Sequence, residues 1–327
     1  MPRASTHLSL RDHLGTLRAR IGIARNQYKL NPGLYCVGAP TAESPVFVTA
    51  NYKLSFDALR QELSGINAWI LIVDTRGINV WCAAGKGTFS TDEVALQVNR
   101  AHLAEIVSHR ELILPQLAAP GVASHELNRK CGFKGRFGPI RAADIQDFLA
   151  SGNNADDKMR SVTFTLAERL ILVPVEIALI WKLFAIITVI IFLVSGIGPE
   201  LYSVSAALSR GMIAGGATVL AILAGALVTP ILLPWIPGRQ FWLKGMLTGI
   251  CAGLAYVSAG KAMSIYDALS LLIWTVAAAS YMAMNFTGAT PYTSLSGVKK
   301  EMKLGLALQC TGMCVALILW IASPFIG

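Results

Sequence analysis

The stretch Ala68-Trp-Ile-Leu-Ile-Val-Asp74 is apolar at every position except its last. A run of this length and composition is typical of a strand that is buried in a parallel sheet. On both sides of it the chain alternates between short strand-like and helix-like runs. The strand-like runs are 45–51, 68–74, 111–115 and 133–140, and the helix-like runs are 55–63, 90–102, 122–130 and 143–149. This alternation predicts an open α/β (Rossmann-like) sheet that binds ligands at the carboxyl ends of its strands.

Charged residues divide the chain into two parts. Residues 1–182 contain 21 Lys and Arg and 16 Asp and Glu, whereas residues 183–327 contain 7 and 3. The second part has five apolar stretches that, with their flanks, approach the ~20 residues needed to cross ~30 Å of hydrocarbon. They are 183–197, 212–237, 245–260, 268–286 and 304–326. We expect a basic arm at 1–30, an α/β domain at 31–165, a linker at 166–182, and an all-α transmembrane domain of five helices at 183–327.

The basic residues of the loops predict the orientation of these helices, because cytoplasmic loops contain the excess of Lys and Arg. With the α/β domain inside, the inner loops contain nine basic residues and the outer loops contain only Arg210 and Lys261. We expect a multi-pass protein of the inner (cytoplasmic) membrane, with its α/β domain in the cytoplasm and lipid as a partner. The net charge of +9 is spread over both parts, which argues against a nucleic-acid partner.

The first 29 residues are more basic than the rest. They contain five Arg and one Lys against a single acid, Asp12, and apolar residues recur at roughly helical spacing, at Leu8, Leu14, Leu17 and Ile21. Three interpretations stay open: a basic amphipathic helix on an anionic membrane surface, a mitochondrial-type presequence, and a solvated helical arm. A secretory signal is not expected, because this segment has no continuous apolar run.

Six cysteines are scattered along the chain without any C-x-x-C pair. Their spacing argues against a disulfide scaffold, a zinc ribbon and a resident iron–sulfur cluster. Any redox chemistry is therefore expected to use electrons from another protein.

The densest motif is the loop after Asp74, Gly77-Ile-Asn-Val-Trp-Cys-Ala-Ala-Gly-Lys-Gly-Thr88. A Walker A loop is excluded, because Val80 stands where that motif has its first Gly and Gly87 stands where it has Ser or Thr. A dinucleotide fingerprint is excluded too, because the loop has no G-x-G-x-x-G.

What remains in this loop is one cysteine, Cys82. A lone cysteine in an apolar run is most often an inert core residue. However, the three residues that follow it are small and would let a large flat ligand approach, and Lys86 would favour the thiolate. A nucleophilic cysteine is the alternative, although the sequence offers no obvious histidine and acid partners for it.

The octapeptide Asn79-Val-Trp-Cys-Ala-Ala-Gly-Lys86 resembles the signature of the mercury-methylating corrinoid proteins and of a relative, the large subunit of the corrinoid iron–sulfur protein of the acetyl-CoA pathway. Leu114-Pro-Gln-Leu-Ala-Ala-Pro-Gly121 and Gly138-Pro-Ile-Arg-Ala-Ala-Asp144 resemble the same family, so that the resemblance covers about residues 30–180. The apolar second part is similar only to the mercury-methylating branch, because the acetyl-CoA branch is soluble and has cluster-binding cysteines.

This resemblance implies a cobalamin-type corrinoid, bound base-off, with Cys82 on a cap helix as the lower axial ligand of cobalt. It implies a methyltransferase that passes a methyl group to Hg(II) and gives methylmercury. A thiolate opposite the methyl group would favour its departure as a carbanion equivalent or a radical, because a thiolate stabilises the oxidised cobalt left behind. The implied partners are a ferredoxin-like protein with two [4Fe–4S] clusters and a methyltransferase that uses methyltetrahydrofolate.

Further corrinoid contacts are expected in the loops at the strand ends, where glycines and backbone amides could meet the amide side chains of the corrin ring. The expected contacts are Thr49, Asn79, Val80, Trp81, Cys82, Ala83, Ala84, Gly85, Lys86, Pro115, Gln116, Gly121, Pro139 and Arg141. For all of these except Cys82, ordinary turn structure is an equal alternative.

Three functions stay open. The first is corrinoid-dependent methyl transfer to Hg(II). The second is a membrane-tethered corrinoid methyl carrier of one-carbon or acetyl-CoA-type metabolism, and the third is a membrane-anchored corrinoid sensor or store that is not an enzyme. All three predict corrinoid binding, and they differ in whether a methyl group is loaded and where it goes.

Overall fold

A computed structural model describes residues 1–260, 263–290 and 293–326. The chain divides into two units, one of Met1–Ala19 and Ile23–Thr163, the other of Arg20–Gly22 and Phe164–Gly327. Lys261, one of the two basic residues expected outside the membrane, lies outside the described residues.

The first unit is built on a five-stranded sheet with the order β1-β3-β2-β4-β5. Its strands are β1 (Gly33–Val37), β2 (Val46–Ala50), β3 (Ala68–Val73), β4 (Glu111–Leu114) and β5 (Lys134–Phe137). Strands β2 to β5 are parallel, with Val48 opposite Leu71 and Phe47 opposite Ile113, whereas β1 runs antiparallel to β3 at one edge. The sheet is therefore mixed, with a parallel centre.

Helices cover both faces of this sheet. They are α1 (Leu10–Arg20), α2 (Lys53–Glu62), α3 (Val80–Gly85), α4 (Thr91–Arg100), α5 (Leu103–Ile106), α6 (Ser124–Cys131) and α7 (Ile145–Ala150). On one face Leu71 packs in a core with Val94 of α4 and Leu127 of α6. On the other face Ile70 packs in a core with Phe148 of α7. Coverage of β3 on both faces explains why its sequence is an uninterrupted apolar run.

The predicted strands and helices of this unit are present, with ends that differ by a few residues. The largest difference in a strand is at 133–140, where β5 covers only Lys134–Phe137. Strand β1 was missed, because it is a short strand at the edge of the sheet and only its Leu34 and Val37 are buried.

The strand order creates a switch point between β2 and β4 at the carboxyl-end edge of the sheet, which we call the crevice edge. From β2 the chain passes through α2 to β3 on one side of β2, and from β3 it passes through α3, α4 and α5 to β4 on the other side. The chain leaves β2 for α2 on one face and leaves β4 for α6 on the other face, so that the loops after β2 and β4 diverge. Such a switch point at the carboxyl ends of parallel strands is where open α/β sheets bind their ligands.

The second unit is helical apart from a ribbon of β6 (Ile197–Gly198) and β7 (Leu201–Tyr202). Its helices are α8 (Leu166–Leu170), α9 (Val173–Leu179), α10 (Trp181–Ser195), α11 (Val204–Leu223), α12 (Thr229–Leu232), α13 (Phe241–Ala259), α14 (Ile265–Ala289) and α15 (Leu295–Ile326). A π-helical turn, Ala224–Val228, joins α11 to α12.

Four spans in the described part of the chain are long and apolar enough to cross a membrane. They are Val204–Leu232, Phe241–Ala259, Ile265–Gly288 and Ser296–Ile326. The segments Leu166–Leu179 and Trp181–Ser195 meet at a bend of 54° and give a fifth only if they count as one span. The expected first span at 183–197 is therefore not one long helix, because α10 has only 15 residues.

Glycines bring α13 and α14 close together. Gly245, Gly249 and Gly253 recur every fourth residue and thus lie along one side of α13. An added Cβ at Gly245 would lie 2.7 Å from the carbonyl oxygen of Ala279, and one at Gly249 would lie 2.9 Å from Cα of Val276. This glycine seam, defined by the three glycines, is the kind of contact that packs helices where apolar burial gives no driving force.

Candidate functional site

The short helix α3 presents Cys82 at the crevice edge of the sheet. Asn79 begins it as an N-cap, with Oδ1 accepting a 2.9 Å hydrogen bond from the backbone N–H of Cys82. At its other end the backbone N–H groups of Thr88 and Phe89 return to the carbonyl oxygen of Ala83, at 2.9 and 3.1 Å. A helix of six residues has little stability of its own, so its capping and its buried side chains, Ala83 among them, hold it in place.

Helix α3 lies over the switch point. It packs against the end of β2 and against the 3₁₀ turn Gln116–Ala118, which follows β4. Gly121 permits this approach, since an added Cβ there would lie 2.2 Å from the carbonyl oxygen of Phe89 and 3.1 Å from Cα of Ala84. The tertiary structure thus places the cysteine helix over the switch point.

Asn51 organises the loop that leads into α3. Its Oδ1 accepts hydrogen bonds from the backbone N–H groups of Thr75, at 3.1 Å, and Gly77, at 2.9 Å, and its Nδ2 donates to Asp74 at 2.9 Å. Gly77 has φ +76°, and an added Cβ would lie 3.1 Å from the carbonyl oxygen of Asn26, so glycine is required there. The buried side-chain amide of Asn51 therefore fixes the turn that precedes α3.

Asn51 was not predicted from the sequence. The signal that could have identified it was its place as a polar residue directly after the apolar strand that ends at Ala50. The predicted contact Thr49, two residues earlier, lies inside β2 opposite Ile72 and is buried.

Burial controls the thiol of Cys82, which is half-buried. Desolvation raises its pKa, and the nearby Lys86, the hydrogen bond with Asn79 and the charge of Arg25 only partly offset that rise. Lys86 thus favours the thiolate, as expected, but its charge does not outweigh the effect of desolvation. Arg25 was not predicted at this site, because 57 positions separate it from Cys82 in the sequence.

Ser90 caps the start of α4, but Glu93 does not complete a capping box with it. The hydroxyl of Ser90 accepts a hydrogen bond from the N–H of Glu93 at 3.2 Å. The side chain of Glu93 bonds elsewhere. Its Oε1 accepts hydrogen bonds from the backbone N–H of Asp74, at 3.0 Å, and from Nε2 of Gln97, at 2.9 Å. The carboxylate thus stabilises the loop between β3 and α3 in addition to its own helix.

The other predicted contacts separate into buried and accessible residues. Buried in the unit, where their side chains serve packing, are Thr49, Val80, Ala83, Ala84 and Pro139. At least partly accessible are Asn79, Trp81, Cys82, Gly85, Lys86, Pro115, Gln116, Gly121 and Arg141. Arg141 donates a hydrogen bond to the hydroxyl of Thr163.

The side chains at this site suit a metal-containing ligand that itself supplies most of the atoms that coordinate its metal. Among residues 1–260, 263–290 and 293–326, no three His, Cys, Asp or Glu side chains lie close enough together to hold a metal ion. A corrinoid would supply most of the ligands of its own cobalt, so that one donor from the protein would suffice. The accessible part of Cys82 offers such a donor, and a thiol is a soft ligand suited to transition metals.

Residues 15–149 match the family model described as CO dehydrogenase/acetyl-CoA synthase delta subunit. The chain is 33% identical over 129 residues to the acetyl-CoA decarbonylase/synthase complex subunit gamma of Methanosarcina acetivorans, and 31% identical over 134 residues to that of Methanocaldococcus jannaschii. These matches cover 38% and 40% of the chain. The chain spans about 27% of the length of each of these relatives.

These similarities correct one expectation from the sequence. The matching family and these relatives have names that refer to acetyl-CoA and not to mercury. The assignment to the mercury-methylating branch is therefore wrong, and methylmercury formation and Hg(II) as a substrate have no support. The cysteine octapeptide resembles both branches, so only the apolar second part favoured mercury, and apolar composition says nothing about which molecule accepts a methyl group.

Proposed function

We propose that the first unit binds a cobalamin-type corrinoid and acts as a methyl carrier in one-carbon or acetyl-CoA-type metabolism. The observation that carries this proposal is the position of Cys82, half-buried on a capped helix over the switch point. This helix lies within the residues that match the acetyl-CoA synthase family model. The proposed corrinoid-binding domain occupies about residues 31–165.

In this proposal Sγ of Cys82 would hold the corrinoid by binding its cobalt. A bound corrinoid would supply a metal centre that takes up and gives up a methyl group. Asn79 fixes the start of α3, and the buried Ala83 and Ala84 pack the helix against the rest of the unit. Because burial raises the pKa of Cys82, the thiol holds its proton in the free protein and has to lose it from Sγ on ligation.

The donor and the acceptor of the methyl group are proposed to be separate proteins. The relatives are named as subunits of a complex, and this chain spans only about 27% of their length. We assign methyl supply to a methyltransferase that uses methyltetrahydrofolate. Low-potential electrons are assigned to a ferredoxin-like protein with two [4Fe–4S] clusters.

The second unit is proposed to anchor the carrier in the inner membrane, with the first unit in the cytoplasm. Its four spans, or five with the bent pair, are long and apolar enough to cross a bilayer. With the bent pair counted as the first of five spans, the loops on the side of the first unit contain the excess of Lys and Arg, which supports this orientation.

Corrinoid binding and the ligand role of Cys82 can be tested together. The full-length chain is incubated with hydroxocobalamin under anaerobic conditions, freed of excess ligand, and examined by visible absorption. Cys82→Ala is compared with Cys131→Ala, a matched control. Cys131 is also partly buried in the first unit, its pKa is also raised by burial, and its Sγ donates to the carbonyl oxygen of Leu127.

We expect the wild type and Cys131→Ala to retain cobalamin with one shared spectrum, and Cys82→Ala to change that spectrum. An unchanged spectrum in Cys82→Ala would reject the ligand role. Failure of the wild type to retain cobalamin would reject the whole proposal. Addition of labelled methyltetrahydrofolate and a methyltransferase then tests the carrier, and retention of cobalamin without methyl loading would identify a sensor or store instead.

A further inference from the structure

Helix α1 turns its apolar side away from the first unit. Leu10, Leu14 and Leu17 are 75%, 51% and 55% exposed, and their spacing places them in one stripe along the helix. This leucine stripe, defined by the three residues, faces outward. In an ordinary surface helix the apolar side faces the core.

The opposite side of α1 is fixed to the unit by a polar contact and by small residues. The carboxylate of Asp12 lies 2.6 Å from Nζ of Lys53 and 2.9 Å from a guanidinium nitrogen of Arg60. Ala19 is buried, and an added Cβ at Gly15 would lie 2.4 Å from the hydroxyl oxygen of Tyr28. These contacts set the rotation of α1, so that the leucine stripe cannot turn inward without breaking them.

Positive charge borders the leucine stripe. Arg11 and Arg18 are seven residues apart and thus lie on the same flank of α1, directly beside Leu14. They line, with Leu14 and Tyr28, a surface hollow of about 490 Å³. Asp12 is the only acidic residue of α1, and it faces Lys53 on the other side. The outer side of the helix therefore offers leucine and arginine side chains and no carboxylate.

We propose that α1 lies in the surface of an anionic bilayer, with its leucine stripe at the acyl boundary and Arg11 and Arg18 at the lipid phosphates. Interfacial helices combine a leucine face with flanking basic residues, whose long stems extend along the apolar surface to the headgroups. The positive charge of Arg11 and Arg18 favours anionic lipid as the surface that α1 contacts, because anionic lipid attracts each arginine near it. This inference uses the proposed membrane insertion of the second unit and is independent of the corrinoid.

The test places a photoreactive residue on the stripe of the full-length protein. Leu14→benzoylphenylalanine is reconstituted into phosphatidylcholine vesicles with and without phosphatidylglycerol, irradiated, and analysed by mass spectrometry for adducts. The matched control is the same replacement at Leu96, an exposed leucine of α4. Flotation of the protein with the vesicles measures insertion of the second unit separately.

We expect lipid adducts at position 14, more in anionic than in neutral vesicles, and none at position 96. Arg11→Gln and Arg18→Gln should each reduce the ratio of docked to free helix about fivefold, and high salt should act in the same direction. The exposed Arg100→Gln should have no effect. Adducts to a polypeptide at position 14, equal adducts at positions 14 and 96, or no lipid adduct in floated anionic vesicles would overturn the proposal.

Discussion

The crevice edge of the first unit and the glycine seam of the second unit fix the backbone in opposite ways. At the crevice edge one side chain, Asn51, accepts from two backbone N–H groups and donates to Asp74. At the seam the side chains are missing, and Gly245 and Gly249 let α13 approach the backbone of α14. The first region adds hydrogen bonds to position a loop, whereas the second removes atoms to bring two helices together.

The difference follows from which backbone groups need partners. A loop that leaves a strand end has free N–H groups, which cost free energy when they are buried without an acceptor. A helix already satisfies its own N–H and C=O groups, so its packing depends on shape alone. Substitutions should therefore act through unpaired polar atoms in the first region and through steric overlap in the second.

The largest effect is expected from Gly245→Ala at the seam. The new Cβ would lie 2.4 Å from Cβ of Ala283 and 2.7 Å from the carbonyl oxygen of Ala279, so α13 and α14 have to separate. We expect a loss of about 3 kcal/mol of unfolding free energy, at the upper end for overpacking. Thermal unfolding of the full chain in detergent, followed by circular dichroism, measures it.

Gly215→Ala is the control for this substitution, because only Cε2 of Phe192, at 4.0 Å, lies near an added Cβ at that position of α11. The control should be equal to the wild type or slightly more stable, since alanine favours helix over glycine by about 1 kcal/mol. Equal stability of the two variants would show that the seam is not closely packed.

A smaller loss is expected from Asn51→Ala at the crevice edge. The backbone N–H groups of Thr75 and Gly77 lose their acceptor, and we expect a cost of about 2 kcal/mol together with weaker retention of cobalamin. Urea unfolding and cobalamin titration measure the two effects. Asn67→Ala is the control, because the exposed Asn67 accepts one hydrogen bond, from the N–H of Ala39. A cost no larger than that of Asn67→Ala would argue against the organising role of Asn51.

The smallest effect is expected from the charges that hold α1. Burial of Asp12 acts to raise the pKa of its carboxyl, but hydrogen bonds from Lys53, Ser9 and Arg60 outweigh burial and place that pKa well below its usual range. The stabilisation is therefore complete above the unfolded-state pKa of about 4 and is lost as the pH falls through the lower folded-state value.

We accordingly expect Asp12→Asn to cost about 1 kcal/mol at neutral pH, and the difference from the wild type to shrink under acid conditions. Urea unfolding at a series of pH values tests this dependence. Asp92→Asn removes an exposed pair with Lys130 and should change little at any pH. A difference in unfolding free energy between the wild type and Asp12→Asn that stays constant with pH would contradict the assignment. Because the glycine seam has no titratable group, the effect of Gly245→Ala should not depend on pH.

Much of the fold could be predicted from periodicity. The run 68–74 is apolar because β3 is covered on both faces, and the strands and helices beside it follow the expected alternation. Two features could not be predicted in this way. Strand β1 buries little, and α3 is too short for a helical pattern, so both depend on contacts made by distant segments.

Within the candidate site the sequence identified Cys82 and its neighbours but not their surroundings. The expectation of an activated thiolate considered Lys86, which is close in the sequence, and missed the desolvation that raises the pKa of Cys82. Asn51 and Arg25 were missed because each reaches the α3 region from a distant part of the chain. Burial and long-range contacts decide the chemistry of such a group, and neither is a local property.

The sequence by itself determined the division into a charged α/β part and an apolar helical part, because hydrophobic periodicity and the cost of burying charge act locally along the chain. The tertiary structure decided the rest: the position of α3 over the switch point, the amide that fixes the turn before it, the raised pKa of Cys82, and the outward direction of the leucines of α1. The physical reason is that a side chain's burial and its partners depend on which segments meet in space, and one local pattern, such as leucines at helical spacing, is compatible with a core or with a bilayer.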